Sequence, residues 1–212
     1  CGLNAISHNL IMFNRLSLPS PNGFILGKPG SGKSFAAKRE IINVLLNDPN
    51  ADVLIIDPER EYTNLAQGFD GEVIHISADS NNHLNPMDIS ENYADDGDPI
   101  QLKSEFILSL CDMISGGLQR GQNSIIDRVI RLSYEKHFSR KNGTVPTLND
   151  FYDILKEQPE DEAQSLALSL ELYIKGNLSV FAHHTNVDTH KRFIIYDIRD
   201  LGKQLRTLGM LI

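Results

Sequence analysis

The run Gly27-Lys28-Pro29-Gly30-Ser31-Gly32-Lys33-Ser34 fits the spacing G-x-x-x-x-G-K-[ST], and that spacing does phosphate chemistry. Glycines let successive backbone N–H groups turn inward onto phosphate oxygens. A helix beginning near Gly32 adds the positive end of its dipole. Lys33 brings a mobile charge for the β- and γ-phosphates, and the Ser34 hydroxyl is a hard oxygen ligand for a Mg²⁺ carried in with ATP. Phe35 completes the candidate binding segment. The bland alternative is a glycine-rich turn, but a strand-like stretch before it and a helix-like stretch after it supply the context that a phosphate loop needs.

Hydrolysis needs carboxylates as well, one to hold Mg²⁺ and another to orient the attacking water. Val53-Leu54-Ile55-Ile56-Asp57 has the form of four apolar residues and an acid, which makes Asp57 a candidate catalytic and metal-binding group together with Ser34. Glu59 and Glu61 follow at the carboxyl end of the same strand, where ligands of open α/β sheets collect. Two alternatives stand beside this reading: Asp57 as an acid that only makes a turn with Pro58, and Phe193 to Asp197 as the acidic strand instead. His83, His183, His184 and His190 raise a metal hypothesis, but adjacent histidines rarely face one ion, so they read as structural or exposed.

The elements that must position these groups alternate. Residues 23–27 read as a strand, and the stretch to Asn47 carries apolar residues at helical spacing. Residues 53–57 read as a strand buried on both faces, and 73–76 as a third strand. An acidic stretch from Asp88 through Glu91, Asp95 and Asp96 to Asp98 closes on Asp98-Pro99, a helix-start signal. A helix with an apolar face from Ile100 to Ile114 follows, stopped by Gly116-Gly117. Ser124 with Asp127, and Thr147 with Asp150, look like capping boxes. A further helix covers about 160–175, strand character returns at 193–198, and an amphipathic start follows at Leu201. The expected fold class is α/β: a mostly parallel sheet with an all-helical insertion. The division is residues 1–98 as the first part of the core, 99–190 as the insertion and 191–212 as the return to the core.

Composition limits the alternatives. The 212 residues carry 20 Lys+Arg against 28 Asp+Glu, a formal net charge of −8, which argues against a surface coated for non-specific nucleic-acid binding. No apolar run approaches the roughly 20 residues that span a bilayer. Cys1 and Cys111 are too few for a disulfide scaffold and fit a reducing compartment, so the expected location is cytoplasmic. A chain that begins with Cys is processed or cut from something longer. A mature lipoprotein also begins so, but this chemistry needs cytosolic nucleotide.

Gly2-Leu3-Asn4-Ala5, Gly27 to Phe35, Ile55-Ile56-Asp57-Pro58-Glu59-Arg60-Glu61-Tyr62, His83-Leu84-Asn85-Pro86-Met87-Asp88 and Phe193 to Leu201 together resemble the conjugative-transfer ATPases of type IV secretion systems, within the wider group of FtsK-like and HerA-like motors. The resemblance implies a RecA-like P-loop NTPase core with a helical subdomain and ATP with Mg²⁺ as cofactors. It also implies a place at the cytosolic face of the cell membrane, assembly as a homo-oligomer (a hexamer in the intact motor) and contact with other secretion components. Family members carry an Asp-Glu strand, a glutamine-bearing strand and an arginine that reaches a neighbour, all of which would lie after Ile212. On that reading the chain is the front of a motor domain, truncated at its C-terminus, and hydrolyses ATP weakly or not at all by itself. Two alternatives remain. One is a small-molecule phosphotransferase with Asp57 or Glu59 as base. The other is a DNA translocase using Arg120, Arg128, Arg131, Lys136, Arg140 and Lys141, a run that reads more readily as a solvated helix face.

Overall fold

The computed structural model describes residues 2–11, 17–89, 98–139 and 144–212; Cys1, the acids Glu91, Asp95 and Asp96, and the basic Arg140 and Lys141 lie outside them. The chain divides into two units, Cys1–Asp48 and Pro49–Ile212.

In the first unit, β1 (Gly2–Leu3) and β2 (Leu10–Ile11) pair antiparallel. Asn4 shapes the turn between them, its Oδ1 accepting the backbone N–H of Ile6 and of Ser7 at 2.9 Å each. Residues 23–27, expected as a strand, form none, and Phe24 and Leu26 are 91% and 87% exposed. An apolar run becomes a strand only where a neighbouring edge takes up its N–H and C=O groups, and β1 and β2 pair with each other. Helix α1 (Lys33–Asn47) forms as the periodicity demands, with Leu45 buried and Phe35 exposed.

The second unit is built on a three-stranded sheet in the order β3-β5-β4, in which β3 (Val53–Asp57), β4 (Glu72–His75) and β5 (Phe193–Asp197) all run parallel. The short helix α2 (Thr63–Gly68) links β3 to β4. The sheet order corrects the expectation for residues 53–57. Among the described residues β3 has only β5 beside it, and its alternate residues Leu54 and Ile56 are 65% and 48% exposed. The strand covered on both faces is the central β5, where Phe193, Ile194 and Ile195 are each at most 1% exposed.

Between β4 and β5 the chain is helical: α3 (Pro99–Ser115), α4 (Gln122–Phe138), α5 (Leu148–Lys156) and α6 (Asp161–Ile174), followed by a short 3-10 helix, Ser179–Phe181. The last element is α7 (Lys203–Leu211). Asp98 caps α3 by accepting the Ile100 N–H at 2.9 Å, with Pro99 in the first turn. Thr147 and Asp150 form the reciprocal capping box of α5. The second box does not form. Helix α4 already starts at Gln122 after a left-handed Gly121, so Ser124 lies inside the helix, and Asp127 accepts instead from Ser104 Oγ at 2.8 Å. Ile126, Val129, Ile130, Tyr134, Phe151, Leu155 and Leu166 are fully buried between these helices, in a cluster that runs on to Ile74 and Ile194 of the sheet.

Candidate functional site

Gly27 to Phe35 make one turn into α1. Gly30 and Gly32 have φ of 76° and 86°, left-handed values that cost an ordinary L residue about 1–2 kcal/mol and glycine almost nothing. No side chain caps α1, and its first turn holds no acid, so its positive end stands uncompensated beside Lys28 of the preceding loop and Lys33 of its own first turn. Ser31 N–H donates to Lys28 O at 3.1 Å, and Lys33 Nζ donates to the same carbonyl at 3.0 Å. A β-carbon at Gly27 would meet Ser31 Oγ at 2.3 Å, so a larger residue there requires the exposed Ser31 side chain to turn away. Lys33 and Ser34 are half-buried, while Lys28, Pro29, Ser31 and Phe35 are exposed. Backbone donors and two lysines stand together at this turn, the chemistry that an anion needs.

Asp57, Glu59 and Glu61 share a second turn, in the second unit. Asp57 ends β3, is 1% exposed, and accepts the backbone N–H of Glu59 at 3.3 Å and of Tyr62 at 2.9 Å. The acid therefore builds the turn that follows it, as the Asp-Pro pair suggested. Glu59 and Glu61 are exposed at that turn. Among the described residues no three or more His, Cys, Asp or Glu side chains converge as a metal cage would require. A magnesium ion suits this chain only as a partner of bound phosphates, with Ser34 and at most one or two carboxylates added. His83 hydrogen-bonds through Nδ1 with Val180 O at 3.0 Å and lies 4.6 Å, ring to ring, from His183, whose pKa burial lowers.

Three groups have contacts that the sequence did not assign, although Asp197 stood there as the end of the alternative acidic strand and Arg60 between Glu59 and Glu61. Arg60 has φ of 57°, a rare conformation for a long side chain, and its guanidinium spans Asp197 through Nε and Asp200 through a terminal nitrogen. Asp197, at the end of β5 and 1% exposed, also takes His75 Nδ1 at 2.7 Å and the Arg199 N–H at 3.1 Å. Burial alone would raise the Asp197 carboxyl; the bonds from Arg60, Arg199 and His75 outweigh it and hold the pKa below the usual carboxylate range. Hydrogen bonds from Asp197 and then Asp200 push the Arg60 pKa upward in turn.

The third group is Lys103. It is 5% exposed, donates through Nζ to Pro86 O at 3.0 Å, and is lowered by burial from 10.5 to about 8. It lines a mostly apolar cavity of about 540 Å³ with Leu54, Ile56, Phe106, Tyr196 and Asp88. Around it the Asn85-Pro86-Met87-Asp88 segment is a junction. Asn85 donates through Nδ2 to Asp88 Oδ1 and to Pro146 O, both at 2.9 Å, and accepts the Met87 N–H at 3.1 Å. The Asn85 N–H donates to Thr185 Oγ1 at 2.8 Å, Thr185 donates to Asp88, and Tyr134 OH donates to Met87 O at 2.6 Å. The segment thus joins α3, α4, the start of α5 and the Thr185 loop. On α4, Arg128 pairs with Glu160 at 2.6 Å and Arg131 with Asp127 at 3.1 Å, so half of the described basic run is already matched to acids.

None of the curated proteins compared with this chain matches it. Among solved structures, that of VirB4 of Thermoanaerobacter pseudethanolicus matches with a TM-score of 0.75 at 22% identity, over 97% of this chain and 60% of its own, a likeness of fold. The chain spans 60% of that protein's length in the structure. The family described as the central domain of helicase HerA matches residues 24–200, from just before the phosphate turn to just past Asp197. A match over most of the chain, in an α/β fold with a parallel sheet, shows that the chain belongs to the HerA central-domain family.

Proposed function

We propose that this chain is the ATP-binding part of an ATPase motor that energises a conjugative or type IV secretion apparatus. The observation that carries the reading is the turn Gly27–Ser34: two left-handed glycines, a lysine and an uncapped helix start, inside a HerA central-domain match. The D-P-E-x-E-Y and N-P-M-D segments direct it to the secretion branch, and the VirB4 likeness supports that choice.

In this reading the N–H groups from Gly30 to Ser34 bind the phosphates, Lys33 neutralises their terminal charge and Ser34 orients the metal edge of the nucleotide. Mg²⁺ with ATP supplies the transferable phosphoryl group and a counter-charge on it. Asp57 orders the turn that presents Glu59 and Glu61, and these exposed carboxylates hold the attacking water or accept its proton, with Asp57 as the candidate second contact to the metal. The division into core 1–98, insertion 99–190 and returning core 191–212 belongs to the same reading, as do a homo-oligomeric ring, a place at the cytosolic face of the membrane and contact with other secretion components. A DNA translocase is the second reading, favoured by the HerA helicase description itself. The pairing of Arg128 and Arg131 with acids weighs against the basic run as its DNA contact.

The test is calorimetric titration of the intact protein with Mg·ATP, beside phosphate release measured with and without duplex DNA. Saturable binding that vanishes in Lys33→Ala, with turnover independent of DNA, is expected. DNA-stimulated turnover would move the assignment to the translocase, and unchanged nucleotide affinity in Lys33→Ala would remove the phosphate site.

A further inference from the structure

We propose that Arg60 is a positioning residue: through Asp197 and Asp200 it holds the turn 58–62 in the conformation that presents Glu59 and Glu61. This deepens the ATPase reading and rests on it. The argument begins with a contradiction at Arg60. The backbone there is left-handed, which a long unbranched side chain does not favour, and the preceding Pro58 and following Tyr62 leave little slack. Such a conformation persists only where the surroundings over-determine it.

The surroundings do so from three loops. Arg60 itself stands after β3. Asp197 closes β5, and its oxygen is shared with His75, which closes β4. Asp200 belongs to the turn that leads to α7. The guanidinium therefore ties the carboxyl ends of β3 and β5 directly, with His75 of β4 joined through the shared Asp197 oxygen, and its planar fork suits two carboxylates at once, which a lysine cannot reproduce. Asp197 is sealed from solvent, whereas Asp200 is 59% exposed in its side chain, so the buried anchor sets the position and the outer one steadies it. The neighbours of Arg60 on both sides, Glu59 and Glu61, are the exposed carboxylates of the turn. Their direction follows from the conformation that Arg60 fixes, because adjacent residues cannot turn independently of a pinned backbone.

Two substitutions separate the side chain from the backbone. Arg60→Gly keeps the left-handed conformation without strain and removes the guanidinium; Arg60→Lys keeps the charge and loses the fork. In the intact protein we would measure ATP affinity, turnover at saturating Mg·ATP, and hydrogen exchange of the amides of Glu59 to Tyr62. Arg60→Gly should leave the affinity within about threefold, lower turnover at least tenfold and speed exchange in the turn, with Arg60→Lys between it and the parent. Exchange unchanged in Arg60→Gly would overturn the anchoring. Faster exchange with unchanged turnover would overturn its link to Glu59 and Glu61. If Arg60→Gly does not fold, Arg60→Lys decides by the same two readings. A parent that binds no Mg·ATP would sink the ATPase reading alone, since turn exchange still reads the anchor.

Discussion

Asp57 and Asp197 end neighbouring parallel strands in register, both buried, and they satisfy their charges in different ways. Asp57 is held by N–H groups of its own turn, whereas Asp197 adds to one such N–H, that of Arg199, side chains from two other loops. The first is a local solution, so it tolerates loss of charge. The second binds distant segments, so it does not.

From that contrast, Asp57→Asn should keep the turn with a loss of stability under about 1 kcal/mol, while Asp197→Asn, which strands Arg60 and His75, should cost about 2–3 kcal/mol. Urea unfolding of the two variants measures the difference. Equal losses would mean that the ties across the sheet contribute nothing. If Asp57 also serves the reaction, Asp57→Asn should lower ATP turnover at least tenfold at unchanged nucleotide affinity; parent-like turnover would leave it a turn residue only.

Gly32→Ala should weaken nucleotide binding at least tenfold while changing the unfolding midpoint little. The left-handed φ of 86° must be abandoned, and the amides that follow lose their aim. The expected loss of stability is about 1 kcal/mol, because nothing lies within reach of the added carbon. Calorimetry with Mg·ATP and thermal unfolding on the same sample check both halves.

Asn85→Ala should be among the most destabilising single changes outside the apolar core, at about 2–4 kcal/mol. Asn85 is 6% exposed, and the change leaves Pro146 O, Asp88 and the Met87 N–H short of partners. Nucleotide affinity measured below the unfolding midpoint should be that of the parent. A selective loss of affinity would place this segment in the site after all.

Lys103 makes stability depend on alkaline pH. Its folded pKa, about 8, lies below the 10.5 of the free side chain, so between those values the unfolded chain binds more protons and stability rises with pH. Below about 8 the full penalty for burying the charge is present. Lys103→Met removes that slope, and its advantage over the parent should shrink by on the order of 2 kcal/mol between pH 7 and pH 10. Denaturation curves of both proteins at the two pH values give the answer, and parallel behaviour would mean that Lys103 is solvated when folded.

Helical spacing and capping made α1, α3, α5 and α6 legible, since a cap such as Thr147 with Asp150 depends on residues three apart. The left-handed glycines before α1 were legible for the same reason, because Gly30 and Gly32 stand at fixed offsets in one short segment. The depth of a strand was not. Val53 to Ile56 are as apolar as a central strand, and only the sheet order, set by segments more than a hundred residues away, makes β3 an edge. Ser124 with Asp127 had the letters of a cap, but Gly121 started the helix earlier. Arg60 could be counted among the charged residues after the strand, but its partners Asp197 and Asp200 belong to a turn that the chain reaches only after the helical insertion.

The two ends of that insertion lie stitched side by side. His83 and Asn186 exchange hydrogen bonds, Asn186 Nδ2 reaches Asn81 O at 2.7 Å, and Thr185 bridges the Asn85 N–H and Asp88. A segment whose two feet stand together can lengthen, shorten or be exchanged without pulling β4 and β5 out of register, because the sheet senses only the feet. The helices between them form a cassette that can vary in length and sequence while the parallel pairing of the sheet stays as it is.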